Sequence, residues 1–130
     1  MNSEAQIGCP CCSGKLYQEC CQPLIENKVH AQTAEQLMRS RYTAYTLVKA
    51  GYIVDTTHPR VRHLHSKKAI LQWAKENEWL KLEVVQSEEC RVVFKAYFRD
   101  SDQVTHYHFE NSIFEKLGDK WYYLSGSYEE

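Results

Sequence analysis

The sequence predicts an α+β domain in which helices come first and an antiparallel sheet follows, with a short cysteine-rich segment ahead of both. Apolar residues recur at helical spacing between residues 33 and 78 and alternate with polar residues from residue 79 onward, as they do where helices give way to strands. Five of the six cysteines fall between residues 9 and 21. Helices followed by a run of strands predict a curved sheet with helices packed on one face.

Composition limits the class of protein. A chain of 130 residues corresponds to one ordinary domain, or to one domain with a short appendage. The hydrophobic fraction of 43% is enough for a folded core. The net charge of −1 lacks the basic excess of a dedicated nucleic-acid surface. Nucleic acid is therefore not expected as a partner.

The same sequence predicts a cytoplasmic protein. No apolar stretch is long enough to span a bilayer. Residues 1–8 carry neither a basic start nor an apolar run, so we expect no signal peptide. In a reducing compartment, clustered cysteines are typical of metal ligands or redox groups rather than of a disulfide framework.

Cap and stop signals place the helices. Thr33, followed three residues later by Gln36, forms a capping-box pattern, and we expect Gly51 to end the helix that starts there. A short helix or turn over residues 52–56 should end before Pro59, because proline restricts the residue that precedes it. Ser66 is expected to cap a further helix over residues 67–78.

Four later segments alternate in the manner of strands: residues 79–86, 90–98, 104–116 and 120–126. Gly118 lies in the turn between the last two segments. Cys90 opens the second segment, where we expect it to be a small buried hydrophobe.

The spacing of the cysteines favours one bound zinc. A C-P-C pair is followed after eight residues by a C-C pair. Zinc takes four soft ligands at about 2.3 Å, which places sulfurs about 3.8 Å apart in a tetrahedron. Pro10 stiffens the first turn, and the second pair would close the loop at the start of a helical turn. A disulfide or a catalytic thiol is the alternative, but adjacent cysteines bridge only with strain and a nucleophile needs one cysteine.

The run CPCCSGKLYQECC at residues 9–21 resembles the SEC-C motif, named for the zinc-binding C-terminus of the SecA translocation ATPase. The resemblance implies one structural zinc (Zn2+), and its ligands would be Cys9, Cys11, Cys20 and Cys21. The family usually has glycine where this chain has Cys12, which would carry strain of about 1 kcal/mol in the same turn. Cys12 would then either compete as a ligand or remain an exposed thiol beside the site.

The resemblance continues beyond the motif. The segments LMRSRYTAY and KWYYLSG, with the Thr57-His58-Pro59 step, are similar to the YchJ-like family of uncharacterised bacterial proteins. That family implies a SEC-C motif at residues 1–28 and, at residues 29–130, a domain of nuclear-transport-factor-2-like fold, a cone of helices against a curved sheet. Many relatives carry a second SEC-C motif at the C-terminus, and the 130 residues contain one such motif.

Partners are also implied by resemblance. The SecA tail contacts a chaperone, with the ribosome as a second candidate. The favoured hypothesis is therefore a non-enzymatic adaptor that binds a protein partner through the zinc motif, with the cone supplying a homodimer contact or a second surface.

The competing hypothesis is a small-molecule-binding domain or enzyme that uses the cone pocket. Its acid–base groups would come from His58, His106 or Glu110. His106, His108 and Glu110 share one face of a strand, where they form either a site facing the pocket or, as we favour, a polar stripe facing solvent. For His58, a role in a structural turn is favoured over a role as a catalytic base. No catalytic residue is assigned.

The sequence also predicts the surroundings of three further side chains. His63 and His65 are expected in an exposed polar loop. Arg41 lies on the apolar side of its helix, where an unpaired guanidinium is costly. We therefore expect it to pair with a carboxylate or with backbone carbonyls, and to bridge the zinc motif and the domain.

Overall fold

A computed structural model describes residues 8–128 of the chain. Residues 1–7, where no signal peptide is predicted, and residues 129–130 lie outside the described part. Four helices precede four strands. Their bounds are α1 Cys21–Ile25, α2 Ala34–Thr46, α3 Ala50–Asp55, α4 Lys67–Glu76, β1 Glu78–Ser87, β2 Arg91–Arg99, β3 Thr105–Leu117 and β4 Lys120–Ser127. Short 3-10 turns occupy Tyr17–Glu19 and Arg62–Leu64.

The strands form one antiparallel sheet in the order β1-β2-β3-β4. Register shifts interrupt the β1–β2 pairing beside Trp79 and Val84, and the β3–β4 pairing beside Phe114. Irregularities of this kind bend and twist a sheet. Helix α2 lies against β1, β2 and β4. The predicted α+β class, with helices packed on one face of a sheet, is confirmed.

Both predicted helix starts are confirmed. The Thr33 hydroxyl accepts a hydrogen bond from the Gln36 backbone N–H at 3.0 Å. The Ser66 hydroxyl accepts one from the Ala69 N–H at 3.2 Å. Each hydroxyl satisfies a backbone donor that the first helical turn leaves unpaired.

The predicted stop at Gly51 is wrong. Helix α2 ends at Thr46, and Gly51 lies inside α3. Val48 turns the chain with a positive φ of 58°, while the Lys49 N–H bonds the Ala44 carbonyl at 2.7 Å. This is the hydrogen bond of a Schellman motif, with valine in the position that glycine usually occupies.

The N-terminal segment packs on the domain as part of the same core. Cys9, Cys11, Cys21 and Leu24 are buried in one cluster with residues of α2, β1 and β4. Segments that share a core are held in a fixed relation to each other. The cysteines therefore lie on the domain itself.

Two further features complete the fold. Cys90 is exposed and lies just before β2, so the prediction that it is buried is wrong. Within residues 8–128, the helices fall short of the length and apolar character needed to cross a membrane.

Candidate metal centre

A small hairpin positions the first cysteine pair. The Cys9 N–H donates to the Lys15 carbonyl at 2.9 Å, and Gly8 and Leu16 form an antiparallel bridge. The chain reverses between them through Cys12 at φ 64° and Gly14 at φ 87°. Left-handed backbone at two positions makes the loop tight enough to bring Cys9 and Cys11 to the same side.

Helical turns position the second pair. The 3-10 turn Tyr17–Glu19 ends with the Cys20 N–H bonded to the Tyr17 carbonyl at 3.0 Å. Cys21 is the first residue of α1, as the sequence predicts. Pro23 is tolerated there because the first helical turn has no backbone acceptor for its missing N–H.

The four predicted cysteine ligands come together. The sulfurs of Cys9, Cys11, Cys20 and Cys21 all lie within 4.8 Å of one another. Sγ of Cys20 lies 3.6 Å from that of Cys11 and 3.9 Å from that of Cys21. A tetrahedral zinc–thiolate site has edges of about 3.8 Å. The donor set and its spacing thus fit a single tetrahedral metal ion.

Two hydroxyl groups lie beside the cysteine sulfurs. The Thr43 hydroxyl of α2 donates to Sγ of Cys21 at 3.3 Å and lies 3.7 Å from Sγ of Cys9. The Ser13 hydroxyl lies 3.2 Å from Sγ of Cys20. Hydrogen bonds to thiolates spread their negative charge, and such surrounding donors tune a metal site.

Neighbouring thiols shift one another's pKa values in opposite directions. Hydrogen bonds from Cys11 and Cys21 hold the pKa of Cys9 well below its usual range. The same bonds, from Cys11 and Cys9, together with burial, raise the pKa of Cys21. Zinc binds thiolates, so a metal ion bound here would displace the protons that the four sulfurs otherwise hold.

Arg39 ties the cysteine loop to α2. Its Nη1 donates to the Cys11 carbonyl oxygen at 2.6 Å, and its Nε donates to Glu35 at 3.0 Å. The sequence placed this bridge on Arg41, and that expectation is wrong. Arg41 instead donates from Nη1 to the Ile53 carbonyl at 2.9 Å, so its expected pairing with a backbone carbonyl is confirmed.

Cys12 stands apart from the four sulfurs. Its side chain is exposed, and its Sγ accepts a hydrogen bond from the Leu82 N–H of β1 at 3.5 Å. The SEC-C motif usually has glycine at this position, and glycine readily adopts the positive φ that Cys12 has here. In this geometry Cys11 faces the cluster and Cys12 faces the sheet.

His58 forms a structural turn. Its Nδ1 accepts the Arg60 N–H at 3.0 Å, and its Nε2 lies 2.8 Å from a Glu115 carboxylate oxygen. Its backbone N–H donates to the Tyr123 carbonyl at 2.8 Å. The ring is buried with both nitrogens engaged, and the residue does not line the cavity described below.

The predicted solvent-facing stripe on β3 is wrong for two of its three residues. His106 is exposed and pairs with Asp100 at 2.7 Å. Glu110 is buried, at 7% exposure, and lies 2.8 Å from Nε2 of His108. His108 and Glu110 line a cavity between the helices and the sheet. At His108 and Glu110, this face of β3 therefore points inward, toward the helices.

The two histidines predicted in an exposed loop, His63 and His65, differ in burial. His63 is exposed as predicted. His65 is half-buried, lines the same cavity and packs edge-on to the Tyr123 ring. Burial, with the nearby Arg41 charge, lowers the pKa of His65. The prediction of an exposed loop is wrong for this residue.

The fold and the cluster define a class, an α+β domain with a tetracysteine module at its N-terminal side. A family model described as YchJ, middle NTF2-like domain, matches residues 33–126. A UPF0225 protein of Geobacter sulfurreducens is 43% identical over 125 residues, covering 91% of this chain and 77% of the relative. A UPF0225 protein of Actinobacillus succinogenes is 38% identical, covering 93% and 82%. The chain belongs to the YchJ-like family.

Two solved structures are similar over nearly the whole chain. The solution structure of a SEC-C motif containing protein from Rhodopseudomonas palustris has a TM-score of 0.87 at 38% identity, covering 95% of this chain and 100% of that one. The crystal structure of a SEC-C motif containing protein from Psychrobacter arcticus has a TM-score of 0.75 at 37% identity, covering 94% and 82%. Both the family and the nuclear-transport-factor-2-like fold predicted by resemblance are confirmed.

Proposed function

We propose that Cys9, Cys11, Cys20 and Cys21 bind one zinc ion and that the zinc is structural. The observation that carries this proposal is the approach of all four sulfurs to within 4.8 Å. Thiolates are the ligands of structural zinc, and four of them leave no open position for a substrate. The ion would close a segment, residues 1–28, that has little apolar surface of its own.

The proposed role of the closed segment is to present a rigid surface to a protein partner. Its shared core with α2 and the Arg39–Cys11 bond support this role, because both fix the segment against the domain at residues 29–130. The outer side of the segment is polar and exposed at Lys15, Gln18 and Glu19. Such a surface suits reversible binding of a partner better than burial in a permanent complex.

The partner is proposed by analogy with the SecA tail, to which the motif is similar. A chaperone or the ribosome would therefore be bound, and the protein would act as an adaptor rather than an enzyme. The similarity to two SEC-C motif containing proteins supports the analogy at the level of the motif.

The test is binding of the zinc-loaded protein to purified ribosomes and, separately, to the chaperone that the SecA tail binds. Lys15→Glu changes the charge of the proposed surface. Lys68→Glu makes the same change on exposed α4 and is the matched control. We expect one of the two probes to bind, Lys15→Glu to weaken binding by about tenfold, and Lys68→Glu to leave it unchanged.

Two results would contradict the adaptor role. One is the absence of binding to either probe at micromolar protein. The other is equal binding by a Cys20→Ser/Cys21→Ser double variant, because that result would show that the closed segment does not form the contact.

A further inference from the structure

The helices and the inner face of the sheet enclose a cavity of about 210 Å³. Its wall is largely aromatic, and the lining includes Tyr42, Tyr45, Trp73, Trp79, Phe94 and Phe114. Trp73 is 41% exposed and Tyr128 is 61% exposed, so the cavity reaches the surface beside them. A preformed apolar cavity with a few polar groups is the usual form of a small-molecule site.

Arg41 supplies the buried positive charge of this cavity. It is only 9% exposed and lines the cavity wall. Its hydrogen bonds within residues 8–128 all leave from Nη1, toward Ile53, Thr56 and Thr57 at 2.9, 2.8 and 3.3 Å. These acceptors are a carbonyl and two hydroxyls, so none of them carries charge.

Nε and Nη2 of Arg41 make no hydrogen bond within residues 8–128. The guanidinium carbon lies 4.6 Å from the centre of the Tyr123 ring, in a cation–π contact. Across the described part of the chain, no carboxylate forms an ion pair with Arg41. Glu110 shares the cavity wall but makes no ion pair with Arg41. A buried cation without a direct ion pair is costly, and an anion bound beside it would offset that cost.

Glu110, the other buried charge in the wall, is already satisfied within the protein. Its carboxylate lies 2.8 Å from Nε2 of His108 and accepts the Ser112 hydroxyl at 2.7 Å. The Tyr123 hydroxyl also bonds it. A Cβ at Gly126 of β4 would overlap the Glu110 carboxylate and lie 2.7 Å from the Tyr123 hydroxyl, so glycine there makes room for this arrangement.

We propose that the cavity binds a small aromatic monocarboxylate, with its anionic end on the free edge of Arg41 and its ring against Trp79 and Phe94. A planar guanidinium binds a carboxylate through two parallel hydrogen bonds. The aromatic wall offers edge-on contacts to a ring, as Trp73 and Trp79 already make with each other at 5.9 Å. The proposal is independent of the metal centre.

The size of the cavity sets the size of the ligand. An apolar cavity of about 150 Å³ in another protein is known to bind benzene. The 210 Å³ here therefore suits one ring with a short acidic side chain. Two-ring and longer acids would exceed this volume unless the wall moved.

The first test compares probes that share a benzyl group and differ in the charge of the attached polar group, on the intact, metal-loaded protein. Phenylacetate, benzylamine and benzyl alcohol are titrated while tryptophan fluorescence is recorded. Phenylacetate is expected to bind at least about tenfold more tightly than either of the others, because it alone meets the Arg41 charge. Equal binding of all three, tighter binding of the amine, or no saturation by phenylacetate up to about 10 mM would overturn the proposal.

The second test removes the charge. Arg41→Gln is expected to lower phenylacetate affinity to that of benzyl alcohol while leaving the alcohol unchanged. Arg99→Gln, which alters an arginine at the end of β2 paired with Glu78 of β1, is the matched control and should bind like the original protein. Unchanged phenylacetate binding by folded Arg41→Gln would overturn the proposal. If Arg41→Gln does not fold, the comparison of the three probes decides alone.

Discussion

Arg39 Nη1 donates a hydrogen bond of 2.6 Å to the backbone carbonyl of Cys11. The contact joins the turn of the cysteine hairpin to the middle of α2, the helix that also supplies Thr43 to the sulfurs. Side chains of one helix thus contact both the backbone and the sulfur atoms of the cysteine cluster. The metal centre and the domain are expected to fold together rather than as separate units.

Arg39→Gln should destabilise the metal-loaded protein by about 1.5–3 kcal/mol, the usual contribution of a hydrogen bond to a charged group. Glu35→Gln is the matched control, because it removes the ion pair with Arg39 and leaves the Cys11 contact in place. That control should cost about 0.5 kcal/mol or less. Denaturant unfolding of both variants measures the two effects, and equal losses would show that the Cys11 bond contributes nothing.

Thr43→Val should weaken metal binding by at least about tenfold, as loss of a donor around a metal site commonly does. The side chain keeps its shape but loses the hydroxyl that donates to Cys21. Thr43→Ser retains that hydroxyl and should keep most of the affinity. Competition with a chromogenic chelator gives both affinities. The interpretation fails if serine and valine weaken binding to the same extent.

Cys12→Gly should stabilise the protein by about 1 kcal/mol, because Cys12 holds φ at 64° and glycine adopts that conformation without a clash. Cys12→Ala keeps the strained backbone and is the control, with little expected gain. Both variants should retain the metal, since Sγ of Cys12 contacts the Leu82 N–H rather than the cluster. Loss of metal from either variant would make Cys12 a ligand.

Glu110 should make stability depend on pH. Burial alone would raise its pKa, but hydrogen bonds from His108, Ser112 and Tyr123 outweigh burial and lower it. The ionised form therefore stabilises the fold above the ordinary value of about 4.3, and this contribution is lost as pH falls from there through the lower folded-state pKa.

The measurement is the difference in unfolding free energy between the original protein and Glu110→Gln, from about pH 6 to pH 3. Any acid-induced loss of metal occurs in both proteins and is removed by taking the difference. The difference should shrink toward low pH. A difference that stays constant or grows would contradict a lowered pKa.

The helix caps and strands could be predicted because each rests on local chemistry. Thr33 and Ser66 bond backbone N–H groups three residues away, and alternation is visible in the strand segments themselves. The end of α2 could not be predicted in the same way. Val48 turns the chain there, and valine carries no signal for a left-handed backbone, whereas Gly51 does and lies in a helix.

The inward direction of Glu110 shows a second limit. Alternation correctly grouped His106, His108 and Glu110 on one face of β3, but it does not say which face the helices cover. The sequence predicts that this polar face meets solvent, and burial of an unpaired carboxylate would be costly. The cost is offset by donors from Ser112 and Tyr123, and the second of these lies on another strand.

Metal content per chain tests the central claim most directly. Untagged protein purified under reducing conditions is compared by elemental mass spectrometry with the Cys20→Ser/Cys21→Ser double variant, and Cys90→Ser serves as a control at an exposed cysteine outside the cluster. The account predicts about one equivalent of zinc in the original protein and in Cys90→Ser, and none in the double variant. Freshly reduced protein without metal, or a double variant that keeps its zinc, would contradict it.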